Sequence, residues 1–213
     1  MTSSMLKNNQ SEEALAKMYG QDDYYWYLRS PQFAETFLKE IGRIVNHFEG
    51  GVLDVGCGEG QLAPWVKVPY VGIDACVVAI NKAEDRWGGD RLDRSFWVSR
   101  LENIESIPTS RDVDSIVFGG ILEVLVNPEE RLNLVKQYME KFNATCLVVY
   151  DLLRFDDSFL QAEYDRIYRF EGEVDMPEII PQKRKRQILV YRRYRGELAR
   201  IEKTIDRVNK SLS

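Results

Sequence analysis

The chain is predicted to form an α/β fold in which strands alternate with helices around a mostly parallel sheet, and three observations predict it. Short apolar runs recur at residues 52–55, 70–74, 96–98 and 114–120, as strands do. Between them, apolar residues recur at helical spacing, as with Val77, Ile80, Ala83 and Trp87, or Leu132, Val135, Tyr138, Met139 and Phe142. The run from Cys146 to Tyr150 is almost continuously apolar, which suits a parallel strand buried on both faces.

Length and composition set the outer bounds. With 213 residues, 44% hydrophobic and 30% charged, the chain has the size and balance of one soluble globular domain. A net charge of -5 argues against a generic nucleic-acid binder, though not against a local basic patch. No apolar run approaches membrane-spanning length and residues 1–10 lack the apolar centre of a secretory signal, so the expected location is cytoplasmic, with no membrane partner. Cys57, Cys76 and Cys146 form no C-x-x-C pair and are expected as free thiols; no metal site is expected.

Residues 1–10 read as disordered, and a short helix runs from Ser11 to Gly20. Tyr24, Tyr25, Trp26 and Tyr27 cannot all face one core, so some line a cleft or lid or pack on the domain. Ser30-Pro31 caps a helix whose stripe is Phe33, Phe37, Ile41, Ile44, Val45 and Phe48, and Gly50-Gly51 ends it. His47, the one histidine, lies before the first strand and is assigned a surface or packing role.

The stretch that organises the chain is Val52-Leu53-Asp54-Val55-Gly56-Cys57-Gly58-Glu59-Gly60, read as strand, tight turn and helix, with the helix start offering unpaired N–H groups to a ligand. A dinucleotide fingerprint would need glycine at Gln61, so that match is broken. Asp54 inside the strand must hydrogen-bond or meet a cation. This stretch resembles the first motif of the class I S-adenosylmethionine-dependent methyltransferases, an apolar-apolar-acid-apolar-G-x-G-x-G run, at every position from Val52 to Gly60. Asp74, at the end of a second strand and 18 residues after Gly56, suits a carboxylate that accepts from ribose hydroxyls.

The resemblance implies a three-layer Rossmann-like sheet of about seven strands, mostly parallel with an antiparallel last strand, with helices on both faces. It implies one domain, divided into a lid and helices at 1–49, a core at 50–195 and a C-terminal helix at 196–213, whose apolar residues Leu198, Ile201, Ile205 and Val208 dock on the domain or on a second subunit. The implied cofactor is S-adenosyl-L-methionine. By resemblance its contacts fall to Arg29, Asp54, Gly56, Cys57, Gly58, Gly60, Asp74, Ala75, Ser99, Arg100, Leu101, Glu102 and Gly119. Arg29 either pairs with the methionine carboxylate or is a solvated helix-end charge. Arg100 stands where the family usually has an acid for the adenine amino group, leaving that contact to Ser99, Glu102 or the backbone.

The later elements follow the same pattern. A short helix interrupted by Pro64 precedes the second strand, a helix spans 76–87, and the fourth strand ends in Gly119-Gly120. Asn127-Pro128 opens another helix, and beyond the 146–151 strand come a helix at 158–164, a strand at 167–174, a 177–181 loop and a last strand at 187–194. Glu123 sits in a run like the family's V-L-E-H-L with Val124 in place of histidine, so histidine-assisted deprotonation is not expected. Candidates to face the acceptor are Glu123, Asp151, Tyr24 and Tyr25, each acid being otherwise a cap or surface charge.

Absent motifs narrow the acceptor. There is no N/D-P-P-Y/F run for DNA amino groups, no paired acids of the protein-arginine type, and no acid at the fourth strand's tip for magnesium. What remains is metal-independent transfer to an oxygen or nitrogen of a small molecule, by a monomer or homodimer. The rivals are a nucleic-acid or nucleotide-linked substrate held by Lys183, Arg184, Lys185, Arg186, Arg192, Arg193 and Arg195, and a cofactor-binding partner protein without turnover. The basic run is otherwise a charged loop entering an edge strand.

Overall fold

The computed structural model describes residues 31–89, 93–108, 112–122, 125, 127–152, 155–174 and 184–193. The expectations for residues 1–30, including Tyr24, Tyr25 and Arg29, lie outside the described residues, as do those for Glu123, the 177–181 loop, Lys183, Arg195 and the 196–213 tail.

Seven strands form one sheet: β1 Gly51–Val55, β2 Tyr70–Asp74, β3 Arg94–Val98, β4 Val113–Gly119, β5 Cys146–Leu152, β6 Tyr164–Val174 and β7 Arg184–Arg193, in the spatial order β3-β2-β1-β4-β5-β7-β6. The first five run parallel, while β7 is antiparallel to both β5 and β6. The order reverses between β1 and β4, which opens a crevice beyond the carboxyl ends of the parallel strands. Because β7 is antiparallel, its first residues lie at that same edge, with Arg186 opposite Leu152.

Strand alternation sends two sets of side chains to two faces. One face packs Val52, Tyr70, Val117, Val148, Tyr150 and Ile188 against α1, which covers residues 31–45, and α2, Val77–Trp87. The other packs Leu53, Ile73, Ile116, Phe118, Leu147 and Leu189 against α3, Pro128–Lys141, and α4, Ser158–Gln161. The three layers expected from the sequence are therefore present. Within α1 the turn widens into a π segment at Ala34–Leu38, setting Phe37 between the rings of Tyr150 and Phe170. Gly172 leaves the room for it, since a Cβ there would lie 2.9 Å from Phe37 Cζ. Among the described residues no helix is long and apolar enough to cross a membrane.

Two expected elements differ. The helix after the glycine turn is only a 3₁₀ turn, Ala63–Trp65, and its bonds, such as Ala63 N–H to the Gly60 carbonyl at 3.0 Å, span three residues. The reason is Pro64: in an α-helix its N–H would be the one to reach the Gly60 carbonyl, and proline has none. The helix expected at 158–164 stops at Gln161, because Tyr164 instead opens β6, paired with Arg193 and buried on the α3 side.

Candidate functional site

The carboxyl edge of the sheet brings together the tips of β1, β2, β3, β4 and β5 and the start of β7. The β1 tip turns through Gly56, Gly58 and Gly60, whose φ angles of +75°, +54° and +73° only glycine adopts without strain. The turn is tied down by its own N–H groups. Gly56 and Cys57 both donate to the Ile73 carbonyl, at 2.8 and 2.9 Å, Gly58 donates to Asp74 Oδ2 at 3.0 Å, and Gly60 donates to the Cys57 carbonyl at 3.0 Å. The expectation that a helix start here presents open N–H donors is corrected on both counts: there is no α-helix, and these four donors are engaged within the protein.

The glycines also differ in what their missing side chains admit. A Cβ on Gly60 would lie 2.8 Å from Phe96 Cε1 and 2.9 Å from Trp87 Cδ1, so Gly60 makes room for protein packing. One on Gly56 would meet Ile121 Cγ1 at 2.3 Å, so the Ile121 side chain spans the gap between the β1 and β4 tips. Gly119 and Gly120, by contrast, face open space, and the Gly120 N–H is held by the Tyr150 carbonyl at 2.8 Å.

Asp74 stands beside the turn, half-buried. Its Oδ1 accepts the Cys76 N–H at 2.8 Å while Oδ2 accepts that of Gly58. Burial pushes its carboxyl upward, and the N–H groups of Cys76, Gly58 and Ala75 pull it back. Asp54 lies behind the turn on the α1 face, 5% exposed, and takes a 2.6 Å hydrogen bond from the Tyr70 hydroxyl. Burial pushes it up to about 7, the Tyr70 bond lowers it and the Asp74 charge adds to the rise. The Cys57 thiol is raised by burial and then by those same two carboxylates, which keeps it neutral. Glu59, 1% exposed, anchors the turn to α2 through Lys82 Nζ at 3.2 Å and Arg86 Nη1 at 2.5 Å.

The loop after β3 is braced on three sides. Ser99 N–H donates to the Asp74 carbonyl at 2.9 Å, the Tyr138 hydroxyl donates to the Leu101 carbonyl at 3.1 Å, and Lys141 Nζ donates to the Ile104 carbonyl at 2.6 Å. Arg100 and Glu102 are exposed, Leu101 and Ala75 half-buried, and Val98 pairs in register with Asp74 while remaining exposed. Beside this loop Val77, at the start of α2, and Trp97 add exposed apolar surface.

At the other end of the crevice Asp151, 1% exposed, pairs in register with Gln187, whose Nε2 donates to the Phe155 carbonyl at 3.3 Å. Arg186 is also buried, its guanidinium 5.3 Å above the Tyr150 ring. The sequence sets Arg186 in a solvated or phosphate-tracking cluster, whereas in the structure it is buried and its neighbour Lys185 exposed. That cluster is divided by the sheet: Lys185 and Arg186 stand at the carboxyl edge and Arg192 and Arg193 at the opposite one, roughly 20 Å away by strand rise. Tyr70 and Ile121 were also unassigned. His47 is exposed, its Nδ1 2.6 Å from the Arg43 carbonyl, in keeping with the surface role expected.

No family model matches the chain, and no curated protein sequence matches it. Solved structures do match in fold. The N-methyltransferase NodS from Bradyrhizobium japonicum WM9, in complex with S-adenosyl-L-homocysteine, superposes with a TM-score of 0.63 at 16% identity, over 86% of this chain and 98% of that one. The magnesium protoporphyrin IX methyltransferase ChlM from Synechocystis PCC 6803, with bound S-adenosylmethionine, gives 0.58 at 12% identity, over 90% and 100%. A SAM-dependent methyltransferase from Methanosarcina mazei gives 0.54 at 16% identity, over 72% and 96%. The strand order, the antiparallel β7 and these superpositions give one result: the chain has the Rossmann-like fold of class I methyltransferases.

Proposed function

We propose that the chain is a methyltransferase that uses S-adenosyl-L-methionine to methylate an oxygen or nitrogen of a small acceptor, without a metal. The observation that carries this reading is the condition of the β1 turn, whose N–H groups are engaged by the protein at four positions, one of them, that of Gly58, by the Asp74 carboxylate beside the turn. A phosphate-bearing ligand needs open N–H donors and positive potential. At these four positions the turn supplies no open donor, and the Asp74 carboxylate beside it suits a ligand whose charged groups there are an ammonium and a sulfonium.

The residues present fit that cofactor. Asp74 accepts a ribose hydroxyl, since the N–H groups of Cys76, Gly58 and Ala75 leave room on a carboxylate that can take about four. Ala75, Ser99, Arg100, Leu101 and Glu102 surround the base, and Gly56, Cys57, Gly58 and Asp54 border the methionine end, with Arg29 assigned to its carboxylate. Gly60 serves the seat indirectly, through its packing on Phe96 and Trp87. Gly119 leaves room where donor and acceptor must approach closely.

When bound, the cofactor supplies a methyl carbon activated by a positively charged sulfur. The chain's part is to align the acceptor in line with that carbon and to keep water out. Asp151 at the end of β5, with Glu123, Tyr24 and Tyr25, is assigned to the acceptor side, where a carboxylate can hold a proton leaving an oxygen or nitrogen. The division of the basic residues between opposite edges of the sheet favours a small acceptor over a nucleic acid, which needs a continuous basic track.

Isothermal titration with S-adenosyl-L-methionine and S-adenosyl-L-homocysteine tests the reading. Saturable heat at micromolar concentration is expected, followed by release of S-adenosyl-L-homocysteine when an acceptor panel is added. A flat titration with both nucleosides overturns it.

A further inference from the structure

We propose that β6 is the surface on which two copies of this chain meet, pairing antiparallel about Phe170 so that their two sheets become one. The proposal concerns assembly and holds whatever ligand the crevice takes.

The strand order ends at β6, so among the described residues no strand pairs with its outer side. An edge of 11 residues is long, and its row of backbone N–H and C=O groups templates another strand unless shape or charge prevents it. One such device is present. Ile167 is a bulge that faces no residue of β7 and stands 46% exposed, which ends regular pairing at that point. From Tyr168 to Val174 the register on β7 is continuous, the stretch contains neither proline nor lysine, and its charges are of both signs.

Those charges select the register. In a twofold antiparallel pair the residue on the axis faces its own copy, and the residues before and after it face each other. An axis at Phe170 sets Arg169 against Glu171 of the other copy twice over, and opposite charges directly across two strands attract. An axis at Arg169 or at Glu171 brings two like charges face to face instead. Arg169 and Glu171 already pair along their own strand at 2.6 Å, with side chains 42% and 50% exposed. A guanidinium donates in several directions and a carboxylate accepts on both oxygens, so the crossing contacts extend that pair into a ring of four charges without breaking it.

Shape agrees with charge. In the same register Tyr168 falls opposite Gly172, which has no side chain to displace the Tyr168 hydroxyl from Glu40 Oε1 at 2.6 Å. Phe170 leans on Phe37 with ring centroids 5.8 Å apart, and beside it α1 leaves a cavity of about 380 Å³ bordered by Glu35, Thr36, Lys39, Glu40 and Arg43, which gives the second Phe170 ring room at the axis. A stretch complementary to itself about one residue fits a second copy, whereas a foreign strand requires no such symmetry. The axis stands perpendicular to the sheet, so the carboxyl edges of the two copies face opposite ways and both crevices stay open.

Analytical ultracentrifugation of the full chain tests the proposal, with R169E and E171R prepared separately. The wild type is expected to dimerise at micromolar concentration. Either variant places like charges opposite each other at both crossing points, so each alone is expected to sediment as a monomer, with self-affinity at least tenfold weaker. An equimolar mixture of the two is expected to dimerise again, because every crossing point then joins opposite charges. Misfolding of either variant cannot produce that recovery. A wild type that stays monomeric, variants that dimerise as the wild type does, or a mixture that remains monomeric overturns the proposal.

Discussion

The Tyr70 hydroxyl donates a 2.6 Å hydrogen bond to Asp54 Oδ2, joining the first residue of β2 to a carboxylate buried inside β1. That contact explains how an acid stands in a strand whose five residues are all buried. It also makes the pair sensitive to pH, since burial holds Asp54 at about 7 in the folded protein against 3.8 as the ordinary value.

The first prediction follows from the sign of that shift. The folded state retains a proton on Asp54 that the unfolded chain releases near pH 3.8, so this residue's contribution to stability is fully present below that pH and is lost as pH rises to about 7. Asp54→Asn removes the titration. Urea denaturation of variant and wild type should show their stability difference moving in favour of the variant between pH 5 and pH 8, by about 1–3 kcal/mol, at about 1.4 kcal/mol per unit. A difference that stays constant across this range contradicts the assignment.

Asp74→Ala should weaken binding of S-adenosyl-L-homocysteine by about 1–3 kcal/mol, the scale of lost hydrogen bonds to a charged acceptor. Calorimetry measures it. Because the same substitution releases the Gly58 and Cys76 N–H groups, Asp74→Asn serves as the companion: it keeps one oxygen for the backbone and should fall between the two.

The glycines separate into packing and site residues, and alanine substitutions should divide them. Gly60→Ala meets Phe96 and Trp87 at under 3 Å and adopts a φ of +73°, so a stability loss of about 1–3 kcal/mol is expected by thermal unfolding. Gly119→Ala enters open space and should change stability by less than about 0.5 kcal/mol. Its effect should appear instead in cofactor affinity or turnover.

Glu59 and its two cations should respond asymmetrically. Lys82 and Arg86 are 28% and 43% exposed, so after Glu59→Gln they can turn toward water, and a loss of about 1–2 kcal/mol is expected. Replacing both cations with Met leaves Glu59, 1% exposed, as a buried acid without either partner, and about 3–5 kcal/mol should be lost at pH 8. Thermal unfolding at pH 8 checks the order.

The sequence by itself determined the layered sheet, the place of the glycine turn and the acids on either side of it. Each of these rests on short-range rules: alternation along a strand, helical spacing between strands, and positive φ at Gly56, Gly58 and Gly60. Local pattern also misled where a neighbour far along the chain decided the outcome. Tyr164 joined β6 because Arg193 pairs with it across the sheet, whereas the break at Pro64 was local and legible, the helix there shrinking to one 3₁₀ turn. Only the tertiary structure decided that the turn's N–H groups are engaged by Ile73 and Asp74, that Ile121 lies against Gly56, and that Arg186 leaves its basic neighbours for a buried seat on Tyr150. These are contacts between elements distant in the chain, fixed by the register of β1 on β2, of β1 on β4 and of β5 on β7, and a one-residue slip in any of them would send that strand's side chains to the other face.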